Sequence, residues 1–115
     1  MQRGDIYLID LEPVVGSEAN KRRPAVIVSN DGANLTAARL GRGVVTVVPI
    51  TSRSARVYPF QVRLPADATG LDRDSKAQAE QVRSISVRRV GSKLGIVPGP
   101  LLAELDEALR LHLAL

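Results

Sequence analysis

A run of β-branched residues near the middle of the chain constrains the fold most strongly. Residues 44–50 read Val-Val-Thr-Val-Val-Pro-Ile, and β-branched side chains favour strands. Pro49 indicates that this strand lies at an edge of its sheet or ends in a bulge. A second run, residues 25–29, is nearly all apolar and predicts a central strand. The chain is therefore expected to be mainly β.

The other apolar segments predict further strands and one terminal helix. The strands are expected at residues 6–11, 59–64, 75–86 and 93–97. Residues 33–41 fit either a short helical turn or a loop. After Pro-Gly-Pro at 98–100, leucines recur on one face of a helix that extends to Leu113. The prediction is one domain over residues 1–115, a small and strongly curved antiparallel sheet with a C-terminal helix.

Composition narrows the class of function. The net charge is +4 and the sequence pI about 10.1, which fits either a polyanionic partner or a basic but uncommitted surface. The chain has no Cys and one His, so we expect no disulfide and no thiolate or His-rich metal site. It has no P-loop or Gly-x-Gly-x-x-Gly motif, and we expect no cofactor. No apolar run approaches the roughly 20 residues that span a bilayer. We expect a cytoplasmic protein with no membrane contact.

Three consecutive cations form the first candidate site. Lys21, Arg22 and Arg23 close a long polar loop and lead through Pro24 into the strand at residues 25–29. Such a run is often only a solvated loop. However, Pro24 restricts Arg23 to extended geometry, and guanidinium groups suit phosphate.

Two further segments carry polar groups at strand positions. Thr51 and Ser52 end the strand at residues 44–50 and precede Arg53; they are either a polar strand terminus or hydroxyls that bind phosphate. In the predicted strand at residues 75–86, Gln81 and Arg83 would share a face. That face is either simply exposed or able to bind base edges. Arg73 and Asp74 are most simply a local charge pair in a turn.

Several ordered motifs resemble the MazF/PemK family of toxin endoribonucleases. They are Arg3-Gly4-Asp5-Ile6-Tyr7, Asp10-Leu11-x-Pro13-x-x-Gly16-Ser17-Glu18, Lys21-x-Arg23-Pro24, Val26-x-Val28-Ser29-Asn30-Asp31, Ile50-Thr51, Arg73-Asp74-Ser75 and Glu80-Gln81-Val82-Arg83-Ser84-Ile85. With the leucine-rich helix, the resemblance covers nearly the whole chain.

The resemblance implies an SH3-like barrel of the PemK/CcdB type and a homodimer. It also implies a bacterial type II toxin that cleaves single-stranded RNA, often messenger RNA, at short sequences without a metal. The 2′-hydroxyl attacks the adjacent phosphate and leaves 2′,3′-cyclic phosphate and 5′-hydroxyl ends. Arg23 and Thr51 match the family's catalytic pair. The residues expected to bind RNA are Ser17, Glu18, Lys21, Arg22, Asn30, Ser52, Arg53, Glu80, Gln81 and Arg83.

The proton transfers are not assigned by the resemblance. Arginine stays protonated in proteins and is a poor base. Glu18, Glu80 or a water molecule is therefore the expected proton acceptor.

A basic RNA-binding groove can also be occupied by an acidic, extended segment of a MazE-like antitoxin. Operator DNA would be bound only through that toxin–antitoxin complex. Two alternatives stay open. One is a CcdB-like protein that binds gyrase through residues 100–115 without catalysis, and the other is a plain RNA-binding domain.

Overall fold

A computed structural model describes residues 1–11, 16 and 22–115, so the predicted site residues Ser17, Glu18 and Lys21 lie outside the described part. Seven strands and three α-helices form from the described residues. The strands are β1 (Asp5–Asp10), β2 (Arg22–Ile27), β3 (Val44–Thr51), β4 (Gln61–Leu64), β5 (Ser75–Gln78), β6 (Arg83–Ser86) and β7 (Val90–Ile96). The helices are α1 (Asp31–Leu40), α2 (Ala66–Thr69) and α3 (Gly99–Leu113). The mainly β fold with a C-terminal helix is thus confirmed.

Strand β3 lies at the centre of the sheet. The strands follow the order β4-β5-β3-β2-β1-β7, all neighbours are antiparallel, and β6 also pairs with β3. The expected edge position of Pro49 is therefore wrong. On one side of β3, pairing with β6 stops at Val47 and pairing with β5 starts at Ile50. Pro49 falls between the two ladders, where its missing N–H costs no ladder hydrogen bond.

Residues 75–86 form two strands rather than the single predicted strand. A 3₁₀ turn at Ala79–Gln81 separates β5 from β6. The pairing register against β3 differs by three residues between β5 and β6, and the three-residue turn absorbs this difference. Glu80 and Gln81 therefore lie in a turn, so Gln81 and Arg83 do not share a strand face.

The sheet does not close into a complete barrel within the described residues, because β4 and β7 end the strand order without pairing with each other. Helix α2 follows β4 and packs against β7 at this corner. A Cβ on Gly95 of β7 would lie 2.1 Å from the carbonyl oxygen of Thr69, so only glycine permits the approach. Helix α2 lies at the corner between the two end strands.

Two hydrophobic clusters lie on opposite faces of the sheet, since successive residues of β2 and β3 contribute to different clusters. Val26 and Val48 pack under α3 with Leu105, whereas Ile27 and Val47 pack on the α1 side. Leu113, predicted on the packed face of the terminal helix, is 49% exposed.

No helix in the described part of the chain is long and apolar enough to span a bilayer.

Residues 31–40 form a helix, α1. Of the two structures predicted for residues 33–41, a helical turn or a loop, the helical one is therefore correct. The Asn30 side chain caps α1 by accepting the Ala33 N–H, and Gly41 ends it with a φ of 65°. The buried Asn34 fastens α1 to the sheet, because its Nδ2 donates to the Ser29 carbonyl at 2.8 Å. These caps and this hydrogen bond fix α1 at the end of β2.

Candidate active site

A pocket of about 370 Å³ opens where β2 begins and β3 ends. Arg23 comes from β2 and Thr51 from β3, and both line this pocket. The β2–β3 ladder ends with the pair Ala25 and Pro49, and Arg23 and Thr51 each lie two residues beyond that last pair. The residues that line the pocket are Arg22, Arg23, Pro24, Ile50, Thr51, Ser52, Gly70, Leu71, Asp72, Arg73, Ser75 and Leu94.

The backbone of β2 positions the two arginines differently. Arg23 is half-buried and pairs with Ile9 of β1, whereas Arg22 is exposed and pairs with Asp10. Pro24 follows directly and keeps Arg23 extended. Both arginines line the pocket, and Arg23 is the more buried of the two.

The hydroxyl groups of Thr51 and Ser52 line the pocket from the end of β3. The Thr51 Oγ1 accepts a hydrogen bond from the Arg53 N–H at 3.2 Å. This contact fixes the hydroxyl oxygen while leaving its hydrogen able to donate to a ligand. The exposed Ser52 hydroxyl lies next along the chain.

Residues 70–75 form the third wall of the pocket. Gly70 ends α2 with a φ of 85° and redirects the chain towards β5. The Asp74 carboxylate then accepts the Ala66 N–H at 2.8 Å, and the Ser75 hydroxyl donates to the Arg73 carbonyl at 2.9 Å. No salt bridge joins the side chains of Arg73 and Asp74 in the described structure, so the predicted local charge pair is wrong.

The described lining of the pocket is strongly cationic. Arg22, Arg23 and Arg73 supply three guanidinium groups against the single carboxylate of Asp72. Guanidinium forks bind phosphate with two parallel hydrogen bonds. Among the described residues, no three His, Cys, Asp or Glu side chains lie close enough together to hold a metal ion. The pocket is suited to a phosphate group that hydroxyl and guanidinium donors surround.

Several predicted RNA-binding residues lie outside the pocket lining. Asn30 caps α1, and the Arg83 guanidinium donates to the Leu11 carbonyl at 3.4 Å. Glu80 Oε2 accepts from Gln61 at 2.8 Å, and its other carboxylate oxygen is buried without a partner among the described residues. Gln81 is half-buried in the 3₁₀ turn. Their RNA-binding roles stay predictions.

Arg53 is exposed just beyond the pocket, where its backbone supports Thr51. Arg22, Arg23, Thr51 and Ser52 are thus the predicted site residues that the fold brings together in the pocket.

Sequence reasoning missed the contribution of Asp72 and Arg73 to the pocket. Both follow α2 in an exposed bend. The family motif Arg73-Asp74-Ser75 is the signal that could have pointed to Arg73, whereas the sequence around Asp72 does not differ from an ordinary charged turn. They reach Arg23 and Thr51 only because β5 pairs with the end of β3 and α2 packs on Gly95. Their place in the pocket therefore depends on long-range contacts.

Named proteins are similar to this chain over its full length. Endoribonuclease MazF9 of Mycobacterium tuberculosis is 63% identical over 115 residues, which cover 100% of this chain and 98% of that protein. Among solved structures, MazF (Form-I) from Deinococcus radiodurans superimposes with a TM-score of 0.80 at 29% identity and covers 100% of this chain and 97% of its own.

The MazE-MazF (Form-II) structure from the same organism has a TM-score of 0.73 at 27% identity and covers 100% of this chain and 96% of that one. The family model described as "PemK-like, MazF-like toxin of type II toxin-antitoxin system" matches residues 2–113. This chain therefore belongs to the PemK-like, MazF-like toxins of type II toxin–antitoxin systems.

Proposed function

We propose that this chain is a sequence-specific endoribonuclease that cuts single-stranded RNA, including messenger RNA, and thereby inhibits translation and growth. The observation that supports this most directly is that Arg23 and Thr51 line one cationic pocket. The name of MazF9, which is 63% identical, supports the same activity. Cleavage needs no resident cofactor in this proposal, because the nucleophile belongs to the substrate.

The proposed reaction is an internal transfer of the phosphodiester. The 2′-hydroxyl oxygen attacks the adjacent phosphorus, and the bond from phosphorus to the 5′-oxygen breaks. The products are a 2′,3′-cyclic phosphate and a 5′-hydroxyl. Negative charge gathers on the non-bridging oxygens, where the Arg23 guanidinium neutralises it and the Thr51 hydroxyl donates a hydrogen bond. Arg22 and Arg73 attract the RNA backbone to the pocket.

Two protons must move during this step. The leaving 5′-oxygen gains a proton from water, while an arginine of the pocket stays protonated and donates a hydrogen bond to that oxygen. The 2′-hydroxyl loses one, and Asp72 is the carboxylate within the described lining that can accept it. Glu80 is a poorer candidate, because its carboxylate is bonded to Gln61 away from the pocket. Glu18 stays a candidate that lies outside the described residues.

The partners follow from charge and from the relatives. A MazE-MazF complex is known for the Deinococcus relative, and we propose that an acidic, extended antitoxin segment occupies the cationic pocket and competes with RNA. The toxin is proposed to act as a homodimer in the cytoplasm and to reach operator DNA only through the antitoxin complex. Raised salt should weaken the binding of both RNA and antitoxin.

The test is cleavage of single-stranded RNA in EDTA, with the ends of the products identified. The wild type should leave 2′,3′-cyclic phosphate and 5′-hydroxyl ends at a short recurring sequence. Arg23→Ala should cut at least about 100-fold more slowly, since it removes a donor to the developing charge. Arg39→Ala, an exposed arginine in the last turn of α1, is the matched control and should cut at the wild-type rate.

Intact RNA with the wild-type protein would contradict the nuclease activity and leave the gyrase-binding and plain RNA-binding alternatives. Equal cleavage by Arg23→Ala would contradict the role of Arg23.

A further inference from the structure

A row of polar side chains begins at the pocket and crosses the neighbouring strands of the sheet. Thr51 of β3 pairs with Lys76 of β5, and Lys76 pairs with Arg63 of β4. Directly paired residues project from the same face of a sheet. With neighbouring strands about 4.8 Å apart, the row runs about 10 Å from Thr51 to Arg63 and carries two cations, of which Lys76 is buried.

The loop of residues 52–60 is fastened over the far end of this row. Lys76 Nζ donates to the Arg56 carbonyl at 2.7 Å, and the Arg63 guanidinium donates to the Ser54 carbonyl at 3.2 Å. The Tyr58 N–H donates to Gln61 Oε1 at 3.1 Å. The loop that leaves Thr51 is therefore ordered against the same strands that carry the row.

This loop presents a short column of planar groups. The rings of Tyr58 and Phe60 stack with centroids 5.5 Å apart and planes within 1° of parallel. The Arg56 guanidinium carbon lies 4.9 Å from the Tyr58 centroid, and Lys76 Nζ lies 5.7 Å from it. We call Arg56, Tyr58 and Phe60 the stacking column.

The column is not part of the hydrophobic core. Tyr58 is 40% exposed, and neither ring belongs to the two buried clusters or packs against them. Tyr7, the third aromatic residue of the chain, does pack against a cluster. Two of three rings thus lie beside the pocket without stabilising the core, and this placement favours a role in binding.

The charge around the column favours a polyanion. The chain has no Asp or Glu between Asp31 and Asp67, so the loop carries Arg53 and Arg56 without a neighbouring acid in sequence. The carboxylate of Glu80 bonds to Gln61 at the end of the loop and adds one negative charge there, against the cations Arg53, Arg56, Arg63 and Lys76 on the loop and its strands. Aromatic rings beside a cationic track form the usual site for single-stranded nucleic acid.

We propose that the stacking column binds one base of the RNA, next to the phosphate held at Arg23 and Thr51, and that the exposed Arg53 and Arg56 of the same loop attract the strand between the two sites. The inference rests on the proposed RNA cleavage but concerns a separate set of residues. Stacking is tolerant of base identity, so the column would set the path of the strand rather than read its sequence.

The test uses a probe that cannot react. A randomised single strand of about 12 nucleotides, within the length that such sites cover, carries 2′-O-methyl groups in place of the nucleophile and scattered 2-aminopurine bases. Binding is followed by anisotropy of an end label, and stacking by quenching of 2-aminopurine at saturation. The variant Tyr58→Leu/Phe60→Leu removes both rings while keeping apolar side chains, and its folding is checked by thermal melting.

The double variant should bind at least about tenfold more weakly and lose the quenching that the wild type shows when saturated. Tyr58→Phe keeps the ring and should stay within about twofold of the wild type. Leu35→Ala, an exposed apolar residue of α1, is the control and should change neither signal.

A double variant that binds and quenches like the wild type would overturn the proposal, because the rings would then only support the loop. A wild type that does not bind the probe would overturn it too. Binding with quenching by a wild type that cuts no RNA would support the stacking column and contradict the proposed nuclease. The two failures are therefore distinguishable.

Discussion

The two ends of the strand pair β2–β3 use their polar groups differently. At the closed end, which comprises Val28, Ser29, Asn34 and Thr46, hydrogen bonds join the groups to one another: Asn34 donates to the Ser29 carbonyl, and the Thr46 N–H donates to the Ser29 hydroxyl at 3.0 Å. At the pocket end, which comprises Arg22, Arg23, Thr51 and Ser52, the side chains line an open pocket.

The comparison shows how one pair of strands can serve two purposes. The closed end fixes α1 to the sheet through Asn34 and also holds Arg3, whose Nε donates to the Val28 carbonyl at 2.9 Å. These hydrogen bonds make this end of the strand pair rigid. That rigidity holds Arg23 and Thr51 at a fixed separation, which is what a preorganised charge-stabilising site requires. Substitutions at the closed end should therefore lower the stability of the fold, and substitutions at the pocket end should lower the rate of RNA cleavage.

The largest effect is expected from Asp72→Asn at the pocket end. Loss of the proposed proton acceptor should slow cleavage by about 100-fold to 10,000-fold while leaving RNA affinity nearly unchanged. The remaining reaction should depend on hydroxide, so its rate should rise steadily with pH. Single-turnover rates over a range of pH measure this, and a wild-type profile for the variant would assign the proton transfer elsewhere.

Thr51→Ala should follow, with a loss of about 100-fold in the rate of cleavage, or about 2.7 kcal/mol of transition-state stabilisation. Thr51→Ser keeps the hydroxyl and should recover most of the rate. Both variants should unfold within about 0.5 kcal/mol of the wild type. If Thr51→Ala and Thr51→Ser cut equally well, the hydroxyl has no role in the reaction.

At the closed end, Asn34→Ala should lower the free energy of unfolding by about 2 kcal/mol, because it leaves the buried partners of Asn34 without hydrogen bonds. The folded variant should still cut RNA. Thr36→Ala, at an exposed position on the same helix, should change stability by less than about 0.5 kcal/mol. Urea unfolding measures both, and equal stability of the two variants would argue against the role assigned to Asn34.

The smallest effect is expected from Asp106→Asn. Its carboxylate joins the Arg3 guanidinium at 2.6 Å, but the two side chains are 35% and 30% exposed, so solvent screens the pair. The loss of stability should stay below about 1 kcal/mol and shrink as salt rises. A loss above about 2 kcal/mol in urea unfolding would mean that Arg3 contributes more to the closed end than a screened ion pair allows.

The sequence predicted the elements whose signals are local. The apolar runs of β2 and β3 and the leucines of α3 were identified from their spacing, and Arg23 and Thr51 from the motifs around them. The pairing of neighbouring antiparallel strands then brings Arg23 and Thr51 together, so this part of the pocket could be anticipated. The predicted roles of Ser17, Glu18 and Lys21 concern residues outside the described structure.

The rest depends on contacts between distant parts of the chain. The division of residues 75–86 arises from a three-residue change of register against β3, which no periodicity within the segment reveals. Pro49 is tolerated in a central strand only because β5 and β6 share one side of β3. Asp72 and Arg73 reach the pocket because Gly95 lets α2 approach β7.

The central claim is that Arg23 and Thr51 act together on one phosphate, and a double-mutant cycle tests it most directly. Single-turnover cleavage in EDTA is measured for the wild type, Arg23→Ala, Thr51→Ala and the double variant. Residues that act as a unit lose less together than the product of their separate losses. We predict that the double variant cuts within about threefold of Arg23→Ala alone. Losses that multiply in full, or a wild-type rate for either single variant, would contradict the claim.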